Sequence, residues 1–212
     1  GTRLRPLTMV RAKAAVPVNG VPLARRVARW LAAHGIRDQV FNLHHQPSSI
    51  TAALGDGGDL GVRVRYSWER EVLGSGGGPR HALPLLMDGG ARRFLIVNGD
   101  TLTNVDLEAL LALHDRSGAL VTMSLIRNPA PDKYGGVIVD EEGRVSAFTR
   151  RGMMKESYHF IGVQIVETSV FASLEDGVPA ESVAGVYPEL MRQTPGSVRA
   201  FVSDATFKDI GT

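Results

Sequence analysis

Across 212 residues, 24 basic and 22 acidic side chains leave a formal charge of +2, and the bases stand singly or in pairs rather than in a stripe, which argues against nucleic acid as a partner. With 43% hydrophobic and 22% charged residues, the chain has ordinary globular composition and the length for one large domain, which would bury roughly 70% of its unfolded surface. Cysteine is absent, which excludes disulfides and thiolate metal sites, and no apolar run approaches the roughly 20 residues that span a bilayer, so the expectation is a cytoplasmic protein with no membrane partner.

After an opening "GTRLRPLT", the stretch "PLARRVARWLAAHG" places Leu23, Val27, Trp30 and Leu31 at helical spacing, with Pro22 at the entry and Gly35 at the stop. "DQVFNLHH" reads as a strand and "PSSITAALG" as a short helix. "GVRVRYSWE" reads as a second strand, on the alternation of Val62, Val64 and Tyr66. A glycine-rich bend, "LGSGGGP", leads to a helix around "RHALPLLM". "RRFLIVNGD" follows, and its run Phe94–Val97 predicts a central strand buried on both faces. "VDLEALLALHDRSG" is a helix and "ALVTMSLI" a strand. Residues 135 to 150 form a hairpin around a Glu-Glu-Gly turn, "YHFIGVQIVE" returns to buried strand, "ESVAGVYPELMRQ" is a last helix, and "SVRAFVSDATFKDIGT" closes with strands. Strand and helix in turn predict an α/β fold, a Rossmann-like three-layer sandwich with a mostly parallel mixed sheet and a small β-hairpin insertion. No repeat or linker interrupts the chain, so one domain over 1–212 is expected.

In open sheets of this type ligands bind beyond the carboxyl ends of the strands, which is where "NGD" puts Asp100. An aspartate there offers a hard oxygen ligand for Mg²⁺; equally, it can cap the helix beginning near Val105 or hold a turn. Asp209 in "FKDIGT" is a second such carboxylate, and two carboxylates completed by substrate phosphates suit this ion. "LGSGGGP" is neither a Walker A loop, since Pro79-Arg80 stands where Lys-Ser or Lys-Thr belongs, nor a dinucleotide fingerprint, since Pro79 takes the third glycine's place. It is a plain turn or a backbone surface for a base or ribose, with Glu69 and Glu71 just before it. A loop with Gly1, Thr2 and Arg3 suits a triphosphate through backbone donors and one guanidinium, and Lys13, one of few lysines among many arginines, follows ten residues later.

The ordered set "GTRLRPLT", "AKAAVPV", "EREVLGSGGG", "VNGD", "YGG", "FIGVQIV" and "KDIGT" resembles the sugar-1-phosphate nucleotidyltransferase family, the nucleotide-sugar pyrophosphorylases, over nearly the whole chain. Its wording is most similar to mannose-1-phosphate guanylyltransferases and N-acetylmuramate-1-phosphate uridylyltransferases. The resemblance implies attack of a sugar 1-phosphate on the α-phosphorus of a nucleoside triphosphate, with release of pyrophosphate. Arg3 and Lys13 would be catalytic, and Asp100 and Asp209 would hold Mg²⁺. Gly1, Thr2, Glu71, Gly76 and Gly77 would bind the nucleotide, and Gly135, Gly136, Arg150, Arg151 and Gly162 the sugar phosphate. The sequence departs from the family at Ala12, where a proline precedes the lysine, and at Arg150-Arg151, where many relatives carry Glu-Lys. A regulatory homologue that binds nucleotide sugars without turnover is the alternative. The resemblance also implies roughly ten further residues before Gly1, forming a mid-sheet strand, and a helix after "DIGT". It leads to the expectation of an opening one strand wide, about 4.8 Å from each neighbour, beside the strand that ends at Asp100.

Overall fold

The computed structural model describes residues 4–153 and 156–210. Its elements run α1 (Leu7–Val10), a 3₁₀ turn Lys13–Ala15, β1 (Pro17–Val18), β2 (Val21–Pro22), α2 (Leu23–Ala33), β3 (Asp38–Leu43), α3 (Pro47–Leu54), β4 (Arg63–Trp68), α4 (Gly74–Leu86), β5 (Arg93–Val97) and β6 (Thr101–Thr103). There follow α5 (Leu107–Ser117), β7 (Val121–Arg127), β8 (Gly136–Val139), β9 (Val145–Thr149), β10 (Tyr158–Glu167), α6 (Ser169–Ala172), a π-type turn Ser182–Val186, α7 (Tyr187–Gln193), β11 (Val198–Val202) and β12 (Phe207–Asp209). The helices end where the side chains dictate. Asp106 caps α5 by accepting from the Ala109 N–H at 2.9 Å, and Gly118 in left-handed conformation terminates it. No helix among the described residues is long and apolar enough to cross a membrane.

β10 organises the main sheet, which runs β11-β7-β10-β8-β9 with β5 also on β10. Its odd residues Ile161, Val163 and Ile165 pack with Val27 and Leu31 of α2 and Leu107 and Leu110 of α5. Its even residue Val166 faces Leu83 of α4, Phe171 of α6 and Tyr187 of α7. This is the period-2 alternation of a strand covered on both faces, and it makes the three layers. A separate cluster holds α2 and α3 against β3 and β4, through Ala24, Ala28, Leu43, Ile50, Leu54, Val62 and Val64, with Ala15 beside them.

Three expectations need correction. The sheet is mixed through β10, which pairs antiparallel with β5, β7 and β8, while β11 is parallel to β7 and β3 to β4. Hydrophobic pattern records burial but not strand direction, so the sequence reading overestimated the parallel pairing. The glycine-rich run is not a bend before a helix but the first turns of α4. β5 is not enclosed: among the described residues it pairs with β10 alone, and four of its five residues are only half-buried.

β3 likewise pairs with β4 alone among the described residues. An apolar cleft of about 780 Å³ separates β3 from β5, and consecutive residues of both strands line it, Asp38 to Asn42 on one and Arg93 to Val97 on the other. A strand face would contribute every second residue; an unbroken run means that the cleft looks onto the strand edges.

Gly162 sits at the irregularity in the β10–β7 ladder, with φ of 78°. A Cβ there would lie 2.6 Å from Asn98 Nδ2. Gly162→Ala should therefore destabilise the fold by about 1–3 kcal/mol, from the left-handed backbone and the displaced Asn98 together. Urea unfolding measures it, and a change under about 0.5 kcal/mol would show that the bulge relaxes freely.

Candidate functional site

Beyond the C-terminal end of β5 the chain turns at Asn98-Gly99-Asp100, pinned by the Asn98 N–H donating to the Gly162 carbonyl at 2.7 Å. β6 then pairs with β12, with Asp209 opposite Thr101, and the Ile210 N–H donates to the Asp100 carbonyl at 3.0 Å. Two carboxylates more than a hundred residues apart in sequence are thus brought side by side. The β12 end of this ladder is held by Asn104, whose Oδ1 accepts from the Thr206 N–H at 2.7 Å.

Lys13 reaches the pair from the opposite bank. Its turn is fixed by the Ala12 N–H donating to Ser49 Oγ at 2.8 Å and the Val16 N–H donating to the Lys13 carbonyl at 3.1 Å. Gly99 lies beside this turn, with a Cβ on it falling in ordinary contact, 3.5 Å, with Ala14 Cβ. Lys13 Nζ donates to Asp100 Oδ2 at 2.5 Å and stands 3.8 Å from Asp209 Oδ1. The side chains are 23, 37 and 18% exposed for Lys13, Asp100 and Asp209. One ammonium therefore bridges two hard-oxygen carboxylates in a partly open position.

Among the described residues, no group of three or more His, Cys, Asp or Glu side chains could hold a metal ion. Asp100 and Asp209 already converge on one cation. This donor set fits Mg²⁺, which is commonly held by one or two carboxylates with water and substrate phosphates completing an octahedron. Asp100 does not cap α5, whose cap is Asp106.

The hairpin β8–β9 brings Gly135 and Gly136 to the same end of the sheet, where β10 begins. A Cβ on Gly136 would lie 2.6 Å from both Ser157 Oγ and Thr149 Oγ1, so only glycine fits there. Sequence reasoning missed the aromatic packing that ties this hairpin to β12. The His159 ring lies over Tyr134, with centroids 4.3 Å apart, and meets the Phe207 edge at 4.7 Å. Burial pushes the His159 imidazole below its ordinary value, against a hydrogen bond with the Gly135 backbone and the charge of Asp209. The only available signal was "YGG" and "TFKD" each carrying an aromatic beside a candidate site residue, which does not reveal that the two meet.

The remaining candidates divide. Gly1, Thr2 and Arg3 lie outside the described residues. Arg150 and Arg151 are exposed at the turn after β9, and neither pairs with a carboxylate among the described residues. Gly76 and Gly77 lie in α4. Both are buried inside the first turns of α4, and their N–H groups donate to the Ala180 carbonyl at 2.7 and 3.1 Å. Two of the orphan donors of a helix start are thus satisfied by the Ala180 carbonyl. Glu71 is exposed, whereas Glu69, 4% exposed, accepts from Asn42 Nδ2 at 2.6 Å and from the Leu73 N–H at 3.1 Å. Gly78 is glycine because a Cβ would lie 2.6 Å from Glu69 Oε1.

Comparison with known proteins gives a concordant picture. The family described as nucleotidyl transferase matches residues 1–212. A mannose-1-phosphate guanylyltransferase of Mycobacterium tuberculosis is 32% identical over 100% of this chain and 58% of its own length. An N-acetylmuramate alpha-1-phosphate uridylyltransferase of Neisseria meningitidis serogroup B is 34% identical over 91% of this chain and 82% of its own. The crystal structure of HddC from Yersinia pseudotuberculosis superposes with a TM-score of 0.80 at 21% identity, covering 94% of this chain and 84% of that one, a likeness of fold. The chain spans about half the length of the first curated relatives it matches.

Proposed function

We propose, from the premise that this chain belongs to the nucleotidyl transferase family, that it carries the site where a nucleotidyl group passes from a nucleoside triphosphate to a sugar 1-phosphate, giving a nucleoside diphosphate sugar and pyrophosphate. One observation carries the reading: Lys13, Asp100 and Asp209 converge at the carboxyl end of β5, where ligands of open α/β sheets bind. The names of the two curated relatives described above support the donor and acceptor classes.

In the proposed reaction an oxygen of the sugar 1-phosphate forms a bond to the α-phosphorus as the bond from that phosphorus to the bridging oxygen of pyrophosphate breaks. The nucleophile is already an anion, so no side chain has to remove a proton. The protein's contribution is alignment and cancellation of charge. Lys13 supplies a positive charge to the phosphates undergoing transfer, and Arg3 would add a second. Asp100 and Asp209 would hold Mg²⁺, which when bound neutralises phosphate oxygens and orients them for in-line displacement. Backbone groups at Gly135 and Gly136 and near Gly162 would read the sugar hydroxyls, and the exposed Arg150 and Arg151 are assigned to its 1-phosphate.

The test is pyrophosphate release by the intact protein with each nucleoside triphosphate against a panel of sugar 1-phosphates. Release with one pairing well above the rest is expected. Folded protein that binds nucleotide sugars yet releases pyrophosphate with no pairing would overturn catalysis in favour of a regulatory binding homologue.

A further inference from the structure

We infer that Lys13 is a resident competitor for the metal seat: its ammonium occupies the position between Asp100 and Asp209 and holds divalent cations out until a polyphosphate draws it away. The inference rests on the reading of that pair as a metal seat. Two observations and one electrostatic argument carry it. The ammonium lies 2.5 Å from one carboxylate and 3.8 Å from the other, so it stands in the space between them. Like charges cannot share it, because a monovalent and a divalent cation a few ångströms apart repel strongly in a partly desolvated site. The described residues add no third carboxylate to outweigh the lysine.

The geometry also gives the competitor somewhere to go. The Lys13 backbone is held by its turn and by Ser49, while the side chain is 23% exposed on a flexible four-carbon stem. Displacement therefore needs only rotations about side-chain bonds. A triphosphate brings more negative charge than one carboxylate, so the ammonium moves to the phosphates and the carboxylates are released to the metal. Binding of metal and of polyphosphate is then mutually favourable by linkage.

The experiment is titration of the intact protein with Mn²⁺ alone, followed by electron paramagnetic resonance of free Mn²⁺. Lys13→Met should bind at least about tenfold more tightly than the unsubstituted protein, and Lys13→Met with Asp100→Asn should lose the gain. If Asp100→Asn abolishes binding but Lys13→Met leaves affinity unchanged, the seat stands and the competitor role is overturned. If neither substitution alters Mn²⁺ binding, the metal seat itself is overturned. A second measurement avoids substitution. With lysine labelled at ¹³Cε, saturating Mg²⁺ should shift the Lys13 resonance, and an unmoved resonance under saturation also overturns the proposal.

Discussion

Lys13→Ala should lower pyrophosphate release by about 10²- to 10³-fold while leaving the thermal unfolding midpoint nearly unchanged. The magnitude is that of removing one preorganised charge-stabilising donor from a site where negative charge is redistributed in the transition state. The fold should tolerate the change because Lys13 belongs to no apolar cluster and its turn is closed by backbone groups and Ser49. Lys13→Arg should recover only part of the rate, since a planar fork does not reproduce a compact point charge. Turnover of Lys13→Ala equal to that of the unsubstituted protein would remove the residue from the catalytic assignment.

The largest loss of stability is expected at Phe171. Its ring is fully buried in α6, with centroids 6.2 Å from Phe94 and 6.4 Å from Tyr187. Phe171→Ala should cost about 3–5 kcal/mol, the transfer free energy of the ring plus a cavity term. The cavity cannot readily close, because fully buried Tyr187 is tethered through its hydroxyl donating to Gln164 Oε1 at 3.0 Å. α6 has only four residues, so packing rather than helix propensity keeps it in place. Urea unfolding should show the midpoint falling at constant slope. A cost below about 1 kcal/mol would mean that the surrounding helices collapse onto the vacancy.

Much of the order of elements was legible in the sequence because each pattern is local. Val62, Val64 and Tyr66 alternate, Leu23, Val27 and Leu31 repeat at helical spacing, and Glu141-Glu142-Gly143 turns a hairpin. What was not legible depends on groups distant in sequence. Gly74, Gly76, Gly77 and Gly78 are poor helix formers, yet they lie in the first turns of α4, where Ala180 accepts from the N–H groups of Gly76 and Gly77 and a Cβ on Gly78 would meet Glu69. Glu69 and Glu71 are indistinguishable as residue types; only the fold buries the first and exposes the second. At the site, Lys13, Asp100 and Asp209 were each identifiable from sequence. Their meeting depends on the β6–β12 ladder and on the Ser49 hydroxyl that fixes the Lys13 turn, neither of which has a sequence pattern of its own. The stacked Tyr134, His159 and Phe207 come from three separate segments and left no trace in periodicity.

The cleft between β3 and β5 has a mechanical consequence. Lys13 is carried by a turn packed with the β3–β4 cluster, while Asp100 and Asp209 are carried by the β6–β12 ladder beside the main sheet. No strand ladder among the described residues joins β3 to β5, and α2 contributes to the cores on both sides, with Ala24 and Ala28 in one and Val27 and Leu31 in the other. The Lys13–Asp100 contact therefore ties the part of the fold that carries Lys13 to the ladder that carries the two carboxylates. α4, which packs on β3, β4 and α6, joins the same two parts, so the alignment of charge at the site depends on α2 and α4 together.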